Sequence, residues 1–281
     1  MIGSELSAVA LGLASAMSWG AGDFSGGLAA RRANVFLVVA LSQGVGLLLV
    51  TAIALVIAER IPPAVDLAWG GAAGLLGALG LTAFYRALAT GQMAVVAPIT
   101  AVLAAALPVF FAAFAQGLPQ AINIVGFVLA IIGVWFLSRT EGSIAGTRGL
   151  GLAILAGVGF GGFFILINQA STHAVFWPLV ADRIVATSVM LVIAFLSRRA
   201  QQSGATPWLV IVLAGILDMA GNVFFVLAAQ VGRLDVAAVI ASLYPMFTVL
   251  LARLILRERL TRMQALGIVL ALVALPLIAV S

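Results

Sequence analysis

The chain has no cysteine, no lysine and a single histidine, His173. Without cysteine there is no disulfide, no thiolate metal site and no thiol nucleophile. Without lysine, Schiff-base chemistry and a phosphate-loop lysine are excluded. One imidazole cannot build a multi-histidine metal site, so no metal and no cofactor is expected. Charge is scarce too: 14 basic residues, all arginine, and 9 acidic residues make up 8% of 281. A soluble domain carries about 25% charge, and this chain could not cover its own surface with polar groups. A secreted disulfide module, a disordered chain and an ordinary cytosolic enzyme are excluded; a polytopic membrane protein remains. The net charge of +5 does not point to nucleic acid. The arginines lie mostly at the ends of apolar runs, where topology signals belong.

What is abundant is apolar: 64% of residues, with a mean hydropathy of +1.26. A helix needs about 20 apolar residues to cross a hydrocarbon core of about 30 Å. Breaks at Arg, Glu, Pro and Gly clusters leave ten runs, at about 6–28, 34–58, 67–90, 93–115, 120–138, 149–170, 176–197, 207–230, 235–256 and 261–280. The runs are continuous and rich in Leu, Ala and Val, so the fold class is all-α rather than a barrel of alternating strands. Nothing before Leu6 is basic and the first run is long, so it reads as a span and not a cleaved signal. Loops after runs 1, 3, 5, 7 and 9 carry nine arginines: Arg31, Arg32, Arg139, Arg148, Arg198, Arg199, Arg257, Arg259 and Arg262. The opposite face carries two, Arg60 and Arg233. Positive-inside orientation places the nine in the cytoplasm of an inner membrane and both termini outside.

The sequence repeats at an offset of 141 residues without a gap: Trp19-Gly20 falls on Phe160-Gly161, Gly74 on Gly215, Phe84 on Phe225, Gly91 on Gly232 and Gly126 on Gly267. Residues 1–140 and 141–281 each hold five runs. An odd number of spans makes the second half enter from the other side, so the halves form an inverted repeat. Transporters of that architecture bind substrate near the midplane, between the repeats. The expected motion is a rocking of one five-helix half against the other. Prolines break the symmetry. Pro108 would align with Val249, Pro245 with Ala104, and Pro98 has no counterpart. An interior proline frees a carbonyl and bends its helix. Spans 4 and 9 are therefore the hinge candidates, with kinks as mere packing features the alternative.

Ser18-Trp19-Gly20, Tyr85-Arg86-Ala87-Leu88 through Gly91 to Ala97-Pro98, and Ala238 through Pro245 followed by Leu256-Arg257-Glu258-Arg259-Leu260-Thr261, Gln264 and Gly267 form a recognisable set. On these residues the chain resembles the drug/metabolite transporter superfamily, in its ten-helix EamA-type branch. The first-half counterpart, Gly117-Leu118-Pro119-Gln120, departs from the pattern by lacking the Glu. The resemblance covers the whole chain. It implies export of small metabolites, often amino acids, through a central cavity, and fixes neither substrate nor coupling ion.

Charge inside a membrane costs at least about 2.5–3.5 kcal/mol per residue, so each buried charge needs a reason. Asp23 in span 1 and Arg86 in span 3 lie at similar depth near the cytoplasmic ends and read as an ion pair. Asp182, Arg183, Asp218 and Asn222 form a second set in spans 7 and 8, with Asp218 one turn from Asn222 on the same face. Asp23, Arg86 and Asp182 read as gating or pairing residues. Arg183, Asp218 and Asn222, with the aromatics Trp19, Tyr85, Phe160 and Tyr244, read as the cavity. Snorkelling and structural pairing are the alternative for the charges, and core packing for the aromatics. Asp23, Asp218 or Asp182 could carry a proton, but facilitated diffusion fits equally. Trp69, Trp177 and Trp208 begin spans and read as interface anchors. The glycine stretches 70–80 and 157–162 let helices pack closely. The second lacks the strand–turn–helix setting of a dinucleotide fingerprint, so no nucleotide site follows. Spans 5 and 10, nearly free of charge, are the peripheral helices and a possible weak dimer contact of an otherwise monomeric carrier. The expected function is secondary export of small organic metabolites, most readily amino acids. Its rivals are a multidrug or lipophilic-cation exporter and a channel or non-transporting scaffold. An intramembrane enzyme finds no support: no nucleophile–base spacing is present.

Overall fold

The computed structural model describes residues 2–89, 93–137, 147–196, 207–256 and 261–279. Its elements are α1 (Ile2–Ala30), α2 (Val35–Val56), α3 (Ala64–Ala89), α4 (Met93–Ala115), α5 (Ala121–Leu137), α6 (Thr147–Ala170), α7 (Phe176–Leu196), α8 (Trp208–Val231), α9 (Leu234–Ala241), α10 (Tyr244–Leu256) and α11 (Arg262–Ala279). No strand occurs among the described residues. The runs map one to one onto α1–α8, the ninth onto α9 plus α10, and the tenth onto α11. Five helices, α2, α3, α6, α7 and α8, each contain a stretch long and apolar enough to cross a membrane by length and composition. The Gly91-Gln92 break and Arg139, Arg198, Arg199, Arg257 and Arg259 of the topology argument lie outside the described residues.

Helix starts follow from local chemistry. Asn34 caps α2, accepting a 2.9 Å hydrogen bond from the Phe36 amide. At the start of α11, the Thr261 amide donates to Gln264 Oε1 (2.9 Å) and the Gln264 amide donates to Thr261 Oγ1 (3.2 Å). This reciprocal pair satisfies two amides that no helical carbonyl can reach. The Thr-x-x-Gln of the sequence pattern is therefore a helix cap. At the equivalent positions of the first half, the Gln120 amide donates to Asn123 Oδ1 (3.1 Å).

Of the three hinge prolines, only Pro245 adjoins a break. After α9 the Ser242 amide donates to the Ala238 carbonyl, but the Leu243 amide donates only three residues back, to Ile240. Pro245 has no N–H to offer the Ala241 carbonyl, so the ladder lapses there and α10 starts afresh. Span 4 differs from span 9 in that α4 is one continuous helix through positions 98 and 108.

Eight spans close into a ring, packed in the order 1, 8, 2, 7, 3, 6, 4, 9 and back to 1. Every neighbour in the ring comes from the other half. Exchanging span 1 with 6, 2 with 7, 3 with 8, 4 with 9 and 5 with 10 maps the packing onto itself. The α1–α8 contact answers α3–α6, and α2–α8 answers α3–α7. That is the signature of the inverted repeat. The two halves interleave, and neither packs as a separate body. Glycine makes the interleaving possible. A Cβ at Gly70 would collide with the Pro178 carbonyl and one at Gly74 with the Asp182 carbonyl, so α3 seats directly on the backbone of α7. Outside the ring, α5 and α11 pack on each other: Asn123 Nδ2 donates to the carbonyls of Leu277 (3.3 Å) and Ile278 (3.1 Å). Their outer faces, with Val125, Val128, Val269 and Leu272, are exposed as lipid-facing positions would be.

The face opposite the arginine-rich loops holds contacts the sequence did not reveal. The Glu59 carboxylate accepts from the amides of Val175 (2.8 Å), Phe176 (2.9 Å) and Trp177 (3.0 Å), capping α7 from the other half. Trp177 Nε1 returns a bond to the Glu59 carbonyl (2.9 Å). Asp66 pairs with His173 at 2.8 Å. Arg233 pairs with Asp235 (2.9 Å) and donates to the carbonyls of Gln116 and Gly117 (3.2 and 2.7 Å). Glu59→Ala orphans three amides at a helix start, and a lost cap costs about 0.5–2 kcal/mol. The expected outcome is a lower Tm in detergent with faster amide exchange confined to the start of α7; unchanged exchange there would show that the cap is dispensable.

Candidate functional site

The ring encloses a cavity with an empty volume of about 540 Å³, lined from α1, α2, α3, α6, α7, α8 and α10. Trp19, Phe160, Asp218, Asn222 and Tyr244 fall about midway along their runs, while Asp23 lies nearer the end of its run.

One wall is aromatic. The Trp19 ring stacks on Phe164 at 5.4 Å, and Phe164 stacks on Phe225 at 4.5 Å. Trp19 Nε1 donates to Asn222 Oδ1 at 2.9 Å, which fixes both side chains. The indole lies so close to α8 that a Cβ at Gly221 would collide with it. Phe84, behind the wall, meets Phe160 (5.9 Å) and Tyr244 (6.2 Å) edge-on. Trp19 and Phe160, equivalent by the repeat, both line the cavity, but Trp19 stacks on the residue one turn beyond Phe160.

The other wall is charged. Arg183 Nη1 lies 2.8 Å from Asp218 Oδ2, and Arg183 Nε lies 3.3 Å from Asp182 Oδ2. Asp182 and Arg183 are buried, at 2% exposure each, while the Asp218 side chain is 25% exposed. A guanidinium between two carboxylates is the arrangement that lets charge persist at this depth. Arg183 Nη2, Gln43 Oε1 and the Tyr244 hydroxyl are buried without a hydrogen-bond partner among the described residues. Buried polar atoms are normally paired, so a set of orphans around a cavity is what a site awaiting a ligand or water presents.

Eight expected residues come together here: Trp19, Asp23, Phe160, Asp182, Arg183, Asp218, Asn222 and Tyr244. The expected Asp23–Arg86 pair is corrected. Arg86 is exposed in the last turn of α3 and makes no ion pair with Asp23, which faces the cavity. The neighbouring residue explains it: Tyr85 takes the inward direction and its hydroxyl presses against Gly26, and the next helical position points outward. Tyr85 itself is buried beside Phe84 behind the wall. Gln43 was missed. A lone Gln in the run 35–56 was the available signal, since an amide in mid-membrane is costly. Phe163 and Phe164, within a turn of Phe160 on α6, line the wall as well.

A closed helical ring, a mid-span cavity, one aromatic wall and one charged wall together describe a chamber for an amphipathic organic molecule. Comparisons with known proteins bear on the fold and the family. Twenty-four solved chains match the fold. One of them, a crystal structure of a protein 19% identical in sequence, covers 96% of this chain and 95% of its own and superposes with a TM-score of 0.77. No curated protein sequence matches. The model of the EamA-like transporter family matches twice, at residues 6–139 and 147–280, once in each half of the repeat. With both halves accounted for, this multi-pass membrane chain belongs to the EamA-like transporter family.

Proposed function

We propose that the protein exports small organic metabolites, amino acids foremost, by alternating access around the central cavity. One observation carries this reading: a cavity in mid-membrane presents aromatic rings on one side and an Arg183–Asp218 pair with unpartnered polar atoms on the other. An amino acid with an apolar or aromatic side chain offers a body for the first wall and two charges for the second. A second reading, export of lipophilic cations, draws support from the same wall, where carboxylates outnumber the guanidinium. In the proposed orientation the arginine-rich loops face the cytoplasm of an inner membrane and both termini lie outside. The monomer, with its own ring, is the transporting unit. A tag on the C-terminus should then be labelled from outside intact cells; protection there reverses the orientation.

The function is tested by counterflow in proteoliposomes over an amino-acid panel, with drug cations as competitors, with and without a pH gradient. Saturable exchange with amino acids supports the first reading, and exchange only with cations supports the second. Absence of substrate-driven exchange removes both and leaves a channel or scaffold. The broken ninth span makes a further prediction. Pro245→Ala supplies the missing N–H and lets α9 run into α10. Initial counterflow rates should fall severalfold while helicity and Tm hold or rise; an unchanged rate would remove Pro245 as a hinge.

A further inference from the structure

Arg183 is the only basic side chain on the described cavity wall, and two carboxylates already hold it. Asp23 is the carboxylate left over. It lines the cavity, and no described cation pairs with it. Three carboxyl groups share the wall with one guanidinium. Asp23 lies within electrostatic reach of Asp218 and of the Tyr244 hydroxyl. Two further atoms on the wall point independently to a ligand. Gln43 Oε1 and the Tyr244 hydroxyl have no hydrogen-bond partner among the described residues, although each residue is only 4% exposed. Both can accept a hydrogen bond.

A protonated primary amine brings one positive charge and three N–H donors. One carboxylate and two neutral acceptors match that set, and aromatic faces nearby favour a cation further. A ligand bearing only a carboxylate would leave the Asp23 carboxyl and the Gln43 carbonyl oxygen without a donor. The free Nη2 of Arg183 can still receive a carboxylate as an addition, so loss of the amine is the costly deletion.

We propose that Asp23, with Gln43 and Tyr244, forms an ammonium subsite, so that the protein takes amine-bearing molecules with an aromatic or apolar body and can dispense with their carboxylate. This rests on the reading that the cavity carries the substrate.

Three probes share one aromatic body: L-phenylalanine, 2-phenylethylamine and 3-phenylpropionate. Their affinities are to be measured calorimetrically on the purified full chain in lipid nanodiscs. The amine and the amino acid should bind within about tenfold of each other, and the carboxylate at least about tenfold more weakly. Asp23→Asn should weaken the amine at least about tenfold, and Asp23→Glu should restore most of it, with both variants monodisperse. If Asp23→Asn does not fold, Gln43→Leu serves instead, with a severalfold loss for the amine. The proposal is overturned if 3-phenylpropionate binds as tightly as the amine, if no probe binds, or if Asp23→Asn or its substitute leaves the amine's affinity unchanged. If the amine binds as expected while the wild-type chain shows no counterflow, the transport reading falls and the subsite stands.

Discussion

Arg183→Ala is expected to abolish transport and to destabilise the protein at the same time. The guanidinium is 2% exposed and lies between Asp182 and Asp218. Removing it leaves two carboxylates facing each other with no cation. Breaking a buried pair in this way costs about 3–5 kcal/mol, because an uncompensated charge remains out of water. The two carboxylates are not equivalent. Asp218 is a quarter exposed and can be hydrated from the cavity, whereas Asp182 at 2% cannot. Arg183→Ala combined with Asp182→Asn should therefore recover expression and Tm while transport stays absent. Asp218→Asn should behave differently again. It keeps the Asp182–Arg183 contact and expresses normally, but counterflow falls at least about tenfold, as for a lost charge-assisted contact in a binding site. Wild-type counterflow by Arg183→Ala would remove the charged wall from the mechanism. Normal Tm with lost transport would show that Arg183 acts on substrate without supporting the fold.

Gly74→Val is the second large effect. A Cβ at residue 74 would collide with the Asp182 carbonyl, which is backbone and cannot rotate aside. Helix α3 must then lift off α7, or α7 must turn and carry Asp182 and Arg183 out of register with Asp218. Overpacking costs about 1–3 kcal/mol in ordinary cores, and a backbone collision belongs at or beyond the upper end. Counterflow should be lost and Tm should fall. Gly151→Ala is the control, since nothing lies within 4 Å of a Cβ there and alanine favours a helix by about 1 kcal/mol over glycine. If Gly74→Val transports normally, α3 and α7 are not held at this distance in the working protein.

Much of the site was legible in the sequence because charge in a membrane is rare enough to be conspicuous. Asp182, Arg183 and Asp218 stood out for that reason, and i, i+4 spacing placed Asp218 and Asn222 on one face. Trp19 and Phe160 were linked by the 141-residue offset before either had a position in space. Asp23 was singled out as well, with the wrong partner. Equal depth in two spans does not say which way each side chain points around its helix, and Arg86 points out. Gln43 escaped because one side-chain amide among the 22 residues of α2 reads as tolerable until its oxygen is seen without a described partner. Glu59 escaped because it sits at a loop, where an acid needs no explanation, and its task of capping α7 depends on a helix more than a hundred residues away.

Composition, run length and the fixed offset determined by themselves that this is an all-helical membrane protein of ten spans in two inverted repeats. Those properties are set residue by residue, by the cost of placing polar groups and unpaired backbone in lipid. Tertiary structure alone decided that the halves interleave into a ring, that α9 and α10 divide the ninth span while α4 runs through its prolines, and that Asp23 faces the cavity without a cation among the described residues. Helix rotation and neighbour choice depend on how small-residue faces fit one another, and a hydropathy pattern carries no record of that fit.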